Sequence, residues 1–214
     1  MLVIDLMNMS MGNSAYERPL EYRFTWKYLS VLLTLPKEER KKIKILDVGG
    51  AESRLAKVLS LLGFDVTVID INKDDFGKAK FIKANILEYD FKPESFDIII
   101  AISTIEHIGL PCYGQKIQDP QGDIKTMRKI WKWLKKGGIA IITLPFGKPH
   151  HPPTFERVYS MDSLEVLLKQ GDWEVISVEY GCALDENPRL FRSCYLHEAL
   201  FRDAVVMLLL RKPD

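Results

Sequence analysis

The architecture of this chain follows from KILDVGGAESRLAKVLSLLG (residues 44–63) and from the DVTVID that comes after it (65–70). KILDV is a short apolar run that leads into two glycines, as is typical of a strand buried on both faces. The leucines and valine of 55–62 then recur at helical spacing, and Gly63 ends the helix that they predict. A strand, a turn, a helix and a second strand in this order predict a parallel β-α-β unit.

The same alternation continues along the chain. Five further apolar runs predict strands: AKFIKA (79–84), FDIIIAIS (96–103), IAIITLP (139–145), WEVISVEY (173–180) and AVVMLLLRK (204–212). Helices are expected over 19–33, 124–134 and 160–170, and between the last two strands only a short helix or an extended loop. These elements predict one doubly wound α/β domain, with a helical cap over 1–43 and the core over 44–214.

Composition and charge narrow the possible functions. The 214 residues are 47% hydrophobic and 28% charged, which is ordinary for a globular chain. Thirty basic and 29 acidic residues give a net charge of +1, which argues against a nucleic-acid binder. No apolar run reaches the ~18–20 residues of a membrane span, and residues 1–14 lack the basic flank of an export signal.

The cysteines give an expectation about the compartment. Cys112, Cys182 and Cys194 are widely spaced, odd in number and form no C-x-x-C pair. The simplest interpretation is a cytoplasmic chain with free thiols.

The turn after the first strand predicts a ligand site. Asp47, Gly49 and Gly50 lie where backbone N–H groups face the carboxyl ends of the strands, which is where ligands bind in an open parallel sheet. Glycines let the backbone approach a ligand closely. Asp70 ends the second strand, where a carboxylate can bind both hydroxyls of a ribose.

A dinucleotide is the first alternative for this site. Its pyrophosphate would need G-x-G-x-x-G on the helix end, but Ala51 and Arg54 stand at the second and third glycine positions. Asp47 would also repel a pyrophosphate. An acid at this position suits a ligand that carries an ammonium group and a sulfonium.

These segments resemble the class I S-adenosylmethionine-dependent methyltransferases over nearly the whole of residues 44–211. The resemblance rests on ILDVGGAES (45–53), VTVIDI (66–71), ANILEYDF (84–91), SFDIIIAISTIEHI (95–108) and LKKGGIAIITLP (134–145). It implies a Rossmann-like sheet of seven strands in the order 3-2-1-4-5-7-6, with the last strand antiparallel and helices on both faces. The chain departs from many members at 51–53, where they have a further glycine.

The resemblance also implies S-adenosylmethionine as the cofactor. By position, its methionine part would contact the turn residues Asp47, Gly49, Gly50 and Ala51, and its ribose would bind Asp70. Its adenine would contact Ile71, Asn85 and Ile86, and Ser103 would lie beneath the cofactor.

Glu106 and His107 are the candidate catalytic residues. They follow the fourth strand, where the cleft should open. Methyl transfer is a displacement in which the protein mainly binds and orients, so a base matters only for a protonated acceptor. His107 is the better base because an ordinary imidazole, with a pKa near ~6.5, is mostly neutral at pH 7. The alternative is a histidine that simply packs at the start of a short helix.

Two loops should flank the acceptor. The loop over 108–122 is rich in glycine and proline, and long loops in compact domains are often functional. Its residues Tyr113, Gly114, Gly122 and Asp123 match a motif of a poorly characterised methyltransferase subset associated with glycans or small molecules.

The loop after the fifth strand contains two adjacent histidines, and the first helix contains one candidate arginine. His150 and His151 are expected to contact substrate or solvent, because they have no metal-ligand partner at suitable spacing and no metal site is predicted. Arg23 is a candidate for binding an acceptor, whereas Trp26 is expected to pack on the sheet.

The function predicted from these residues is methyl transfer to an oxygen or nitrogen of a small molecule or glycan, in the cytoplasm and away from membranes. A nucleic-acid or protein methyltransferase is the closest alternative, although Ser103 to Glu106 replace the Asn/Asp-Pro-Pro-Tyr/Phe of base amino methylation. A non-catalytic subunit and an NAD-dependent oxidoreductase are further alternatives. A homodimer also stays open, since AVVMLLL (204–210) suits a dimer edge or a buried core.

Overall fold

The computed structural model describes residues 17–51, 53–116, 118–149 and 155–214. The predictions for the first fourteen residues, Glu52, His150 and His151 therefore lie outside the described residues. The helices are α1 (Arg18–Leu29), α2 (Lys37–Arg40), α3 (Leu55–Leu61), α4 (Gly122–Trp133), α5 (Met161–Leu168) and α6 (Leu196–Ala199), with 3₁₀ turns at Ser30–Thr34 and Ile105–His107. The strands are β1 (Lys44–Val48), β2 (Asp65–Asp70), β3 (Lys80–Lys83), β4 (Phe96–Ile102), β5 (Leu134–Phe146), β6 (Glu174–Ala183), β7 (Phe191–Cys194) and β8 (Ala204–Arg211).

All eight of these strands form one sheet in the order β3-β2-β1-β4-β5-β8-β6-β7. Strands β1 to β5 are parallel, and β8 is antiparallel to both β5 and β6. For the seven predicted strands the implied order 3-2-1-4-5-7-6 is confirmed, because β8 is the last of them.

The predicted number of seven strands is wrong by one. Residues Phe191–Cys194, expected to be loop or helix, form β7 because they pair antiparallel with Tyr180–Ala183 at the edge of the sheet. The rest of the predicted insertion forms the short helix α6.

Helices cover both faces of the sheet, as the α/β prediction required. On one face α4 and α5 contribute Met127, Trp133 and Leu167 to a buried apolar core. On the other face α1 and α3 pack with Trp26 and Leu59 in a second core. The segment 204–210 is buried in the middle of the sheet, so its apolar residues form core and not a dimer edge.

A buried glutamate fixes α1 to the sheet. Glu21 is completely buried, and its Oε1 accepts hydrogen bonds from Ser103 Oγ and Thr143 Oγ1, both at 2.5 Å. Ser103 follows β4 and Thr143 lies in β5. Charged hydrogen bonds of this kind stabilise by ~1.5–3 kcal/mol each. They hold the N-terminal helix over the carboxyl ends of the central strands.

The expectation of three free thiols is wrong. Cys182 in β6 and Cys194 in β7 form a disulfide, with their Cα atoms 5.8 Å apart. The antiparallel pairing of β6 and β7 brings the two residues together, and this pairing was not predicted. Cys112 is the free cysteine of the described residues, and it is buried.

Candidate active site

The carboxyl ends of β1 to β4 open into one cleft, at the edge where a doubly wound sheet binds ligands. The space in the cleft, counted together with the solvent at its open mouth, is about 770 Å³. Its walls come from α1, from the four strand ends and from the loop after β4. Among the residues that line it are Arg18, Gly49, Ala51, Asp70, Ile71, Asn85, Ile86, Ser103, Thr104, His107, Tyr113 and Gln115.

Packing within the protein requires the glycines of the first turn. Gly49 has φ +68°, and a Cβ there would lie 2.2 Å from Cγ2 of Thr104. A Cβ on Gly50 would lie 2.9 Å from Oδ2 of Asp47 and from Cγ1 of Val68. Neighbouring side chains therefore require both glycines, independently of the ligand whose approach they are expected to allow.

Asp70 is held rigidly at the wall of the cleft. Its Oδ2 accepts a hydrogen bond from the Ala51 N–H at 2.8 Å, and its Oδ1 accepts one from the Asn72 N–H at 2.7 Å. The same carboxylate therefore joins the end of β2 to the turn after β1. A carboxylate at this position is the type of group that binds two adjacent hydroxyls.

The third strand end supplies the wall next to Asp70. Asn85 Oδ1 accepts a hydrogen bond from the Leu87 N–H at 2.9 Å, which fixes the orientation of the Asn85 amide. Ile86 lines the cleft beside it, and Ile71 lines it from the β2 end. The structure thus brings Asp70, Ile71, Asn85 and Ile86 together along one wall of the cleft.

Asp47 and Gly50 lie behind the turn and do not belong to the lining of the cleft. Asp47 is 2% exposed, and within the described part of the chain its Oδ2 has no hydrogen-bond partner. Burial and the nearby charge of Asp70 raise the pKa of Asp47 to about 7. This carboxyl group is therefore poised to ionise when a positive charge comes close.

His107 faces the opposite end of the cleft. Its Nδ1 lies 2.8 Å from the Phe155 carbonyl oxygen, which can only accept, so Nδ1 carries the proton. Nε2 of the neutral ring then carries the lone pair. Burial lowers the pKa of His107 below its usual range and keeps the ring neutral near pH 7.

Glu106 lies beside the histidine and does not line the cleft. It is 1% exposed, and neither carboxyl oxygen has a hydrogen-bond partner among the described residues. Its Oε1 lies 3.7 Å from His107 Nε2. Burial, with the charge of Glu21 adding to it, raises the pKa of Glu106 well above its ordinary value. Such a buried, perturbed pair is typical of functional sites.

Two aromatic side chains pack against His107 at the mouth. The Tyr113 ring lies 5.1 Å and the Phe155 ring 4.9 Å from the imidazole, measured between ring centroids. Tyr113 is 45% exposed and Phe155 is 51% exposed. Apolar ring faces next to a candidate base are suited to a ring-bearing ligand.

Arg18 lines the cleft, although no pattern in the sequence indicates that it should. Its Nε lies 3.6 Å from Glu21 Oε2, and its guanidinium lies over the Tyr22 ring at 5.9 Å from the centroid. The predicted acceptor residue Arg23 points elsewhere: its Nη2 donates to Ser193 Oγ in β7 at 2.8 Å. The packing of α1 on the sheet decides which of the two arginines reaches the cleft.

The described residues contain no group of three or more His, Cys, Asp and Glu side chains that could hold a metal ion. In the same ranges, no helix combines the length and apolar character needed to cross a bilayer.

The sheet and cleft define the class I methyltransferase fold, as predicted. N-methyltransferase NodS of Bradyrhizobium japonicum, solved with S-adenosylhomocysteine, aligns with a TM-score of 0.61 at 11% identity over 99% of both chains. The 1,6-didemethyltoxoflavin-N1-methyltransferase of Burkholderia thailandensis, also with bound S-adenosylhomocysteine, has a TM-score of 0.57 at 16% identity and covers 91% of this chain and 88% of its own. At such low identities the likeness concerns the fold.

A family model described as Caenorhabditis protein of unknown function, DUF268, matches residues 45–212, and the chain belongs to that family. A ubiquinone biosynthesis O-methyltransferase of Pelagibacter ubique is 33% identical over 112 residues, which are 48% of this chain and 42% of that protein. The chain spans less than half the length of the curated relatives that it matches.

Proposed function

We propose that the protein transfers a methyl group from S-adenosylmethionine to an oxygen or nitrogen of a small molecule or glycan. One observation carries the proposal: a single cleft has the rigid Asp70 carboxylate at one end and a neutral His107 at the other. Two N-methyltransferases of similar fold and an O-methyltransferase of similar sequence support the same reaction class.

The charges around the cleft fit S-adenosylmethionine. Asp70 would bind the ribose hydroxyls, and Ile71, Asn85 and Ile86 would form the adenine pocket. The turn of Gly49 and Ala51, with Gly50 and Asp47 behind it, would receive the methionine part. The unpartnered Asp47 oxygen suits a nearby ammonium or sulfonium, and the Arg18 guanidinium suits the carboxylate.

S-adenosylmethionine, when bound, supplies a methyl group on a positively charged sulfur. The chain orients the acceptor and excludes water, and His107 Nε2 accepts the proton that the acceptor loses. Bound there, the cofactor would supply the methyl group in exchange for an electron pair of the acceptor, and it would leave as a neutral thioether. A positive charge on the His107 ring would in turn favour ionisation of Glu106, whose Oε1 lies 3.7 Å from Nε2.

The mouth of the cleft favours a ring-bearing acceptor. Tyr113 and Phe155 offer exposed aromatic faces on which a sugar or a heterocycle can stack. A nucleic-acid acceptor is disfavoured, because a net charge of +1 gives no general attraction to phosphate.

Calorimetric titration with S-adenosylmethionine, S-adenosylhomocysteine and NAD tests the proposal. We expect saturable binding of both adenosyl ligands and none of NAD. Asp70→Ala and the less disruptive Asp70→Asn should weaken S-adenosylhomocysteine binding by about 100-fold, the worth of roughly two charged hydrogen bonds. Asp65→Ala, at the other end of β2, is the matched control and should leave the affinity within about twofold.

Binding of NAD alone, or of none of the three ligands, would overturn the proposal. If the adenosyl ligands bind, transfer of labelled methyl from S-adenosylmethionine to a panel of sugars and heterocyclic amines and alcohols separates an enzyme from a binding subunit. Transfer that depends on His107 supports the enzyme.

A further inference from the structure

Arg157, which the site described above does not use, binds the backbone on both sides of His107. Its Nη1 donates to the carbonyl oxygens of Glu106 at 3.0 Å and of Ile108 at 2.9 Å. Its backbone N–H donates to the same Glu106 oxygen at 3.2 Å. The Arg157 side chain is 11% exposed, so these bonds are largely shielded from water.

The same guanidinium also binds the far end of the loop that follows β4. Nη2 donates to the carbonyl oxygens of Asp119 at 3.4 Å and of Pro120 at 3.2 Å. The start and the end of this loop therefore converge on one side chain, which comes from the segment after β5.

Two glycines allow the ends of the loop to approach each other. A Cβ on Gly109 would lie 2.2 Å from the Asp119 carbonyl oxygen, and a Cβ on Gly122 would lie 2.3 Å from that of Ile108. Larger residues at either position would force these backbones apart. The carbonyl groups would then no longer converge on Arg157.

Asp123 anchors Arg157 from α4. Its Oδ2 is 3.6 Å from Arg157 Nε and accepts a hydrogen bond from the Tyr159 hydroxyl at 3.0 Å. A buried guanidinium needs such a counterion. Two residues of the motif Tyr113, Gly114, Gly122 and Asp123 thus have a structural role. Gly122 leaves space for the Ile108 carbonyl group, and Asp123 supplies the negative charge next to Arg157.

The imidazole of His107 is held by the same segment. Phe155, whose carbonyl oxygen lies 2.8 Å from Nδ1, is two residues before Arg157. Arg157 therefore holds the backbone on both sides of His107, and Phe155 holds its ring. The charged groups around the imidazole are Glu106, Glu156, Arg157 and Arg18.

We propose that Arg157 is the positioning residue of His107. By binding the Glu106 and Ile108 carbonyl groups, Arg157 fixes the imidazole so that its Nδ1–H donates to the Phe155 carbonyl oxygen. Nε2 is then the nitrogen that accepts a proton. The use of His107 as a base rests on the proposed function, but its positioning by Arg157 does not. The hydrogen bonds of Arg157 thus join three parts of the structure: His107, the loop that follows it and the 155–159 segment.

Nitrogen NMR of the four histidines in the 214-residue chain tests this inference, with His107 assigned from the spectrum of His107→Gln. The wild type should show one tautomer for His107, protonated at Nδ1. Arg157→Met should give mixed tautomers and a His107 pKa shifted by at least about half a unit. Arg128→Met is the matched control, because Arg128 binds only the exposed Gln170 side chain among the described residues, and it should change neither signal.

Arg157→Lys covers the possibility that the methionine variant does not fold. A lysine keeps the charge but cannot bind four carbonyl groups, so mixed tautomers are expected again. A His107 that keeps one tautomer and its wild-type pKa in a cooperatively melting Arg157→Lys variant would overturn the inference. Failure of the proposed function has a different signature, since the wild type would then not bind S-adenosylhomocysteine.

Discussion

The two ends of the cleft are built in different ways. At the Asp70 end, the short turns that follow β1 and β2 supply backbone N–H groups that hold the carboxylate, and the turn after β3 holds the Asn85 amide. At the His107 end, the contacts come from loops that are far apart in sequence and meet at Arg157 and Phe155. The first end is a product of the fold itself, whereas the second depends on side chains that this chain adds to the fold.

This difference indicates which end of the cleft determines the choice of acceptor. Many sequences can form the strand ends of a doubly wound sheet, and a site built on them serves a ligand common to many proteins. Loops held by a few polar side chains can change without disturbing the sheet. We therefore expect changes at the two ends to be separable in experiments.

The largest expected effect is on catalysis. His107→Gln removes the proposed base and should lower kcat by about 10²–10⁴-fold, a typical range for a lost general base. The S-adenosylhomocysteine affinity should stay within about twofold, because His107 belongs to the other end. Single-turnover methyl transfer and calorimetry measure the two quantities. A parallel loss of both would show that the two ends are not independent.

A second prediction concerns the glycine turn at the cofactor end. Gly49→Ala should destabilise the protein by about 3 kcal/mol more than Gly114→Ala, because of overpacking against Thr104. Both glycines have positive φ, but a Cβ on Gly114 meets no atom within 4 Å, so Gly114→Ala measures the backbone strain alone. Urea unfolding gives both free energies. Equal losses would mean that contact with Thr104 does not constrain the turn.

A third prediction uses the titration of Asp47. Because its folded pKa is raised to about 7, the folded state holds this proton more tightly than the unfolded state does. The contribution of this group to stability is therefore present at low pH and is lost as the pH rises from about 4 to about 7, with a slope of at most ~1.4 kcal/mol per pH unit.

Asp47→Asn should flatten that slope, as measured by urea unfolding at several pH values. Asp65→Asn serves as the control and should keep the wild-type slope. A slope that survives in Asp47→Asn would assign the titration to another buried acid, with Glu106 at the opposite end of the cleft as the first to examine.

The smallest expected effect concerns the aromatic mouth. Tyr113→Leu removes one exposed ring face and should weaken binding of a ring-bearing acceptor by about fivefold, in line with ~1 kcal/mol for a stacked ring pair. The S-adenosylhomocysteine affinity should not change. A variant that weakens the adenosyl ligand instead would assign Tyr113 to the cofactor end.

The sequence predicted those site residues that lie at the carboxyl ends of strands. Asp70, Asn85 and Ile86 each stand at such a position, so predicting the strands also predicted that they meet. The sequence did not predict contacts between residues that are far apart along the chain. Phe155 approaches His107 because two loops fold together, and no local pattern marks that approach.

The same contrast applies to the fold. The long apolar runs of β4 and β5 predicted strands because a buried parallel strand needs little else. β7 escaped prediction, since FRSC is short, half polar and exposed, and its pairing with β6 is visible only in three dimensions. The disulfide was missed for the same reason.

The central position of β8 has a consequence for biosynthesis. Residues 204–211 leave the ribosome after the other seven strands of the described sheet, yet they join β5 to β6. Until they emerge, the apolar strand β5 has an open hydrogen-bonding edge, which is a template for unwanted association. A nascent chain halted before residue 204 therefore holds two unjoined pieces of sheet, which the eighth strand of the described sheet joins when it emerges.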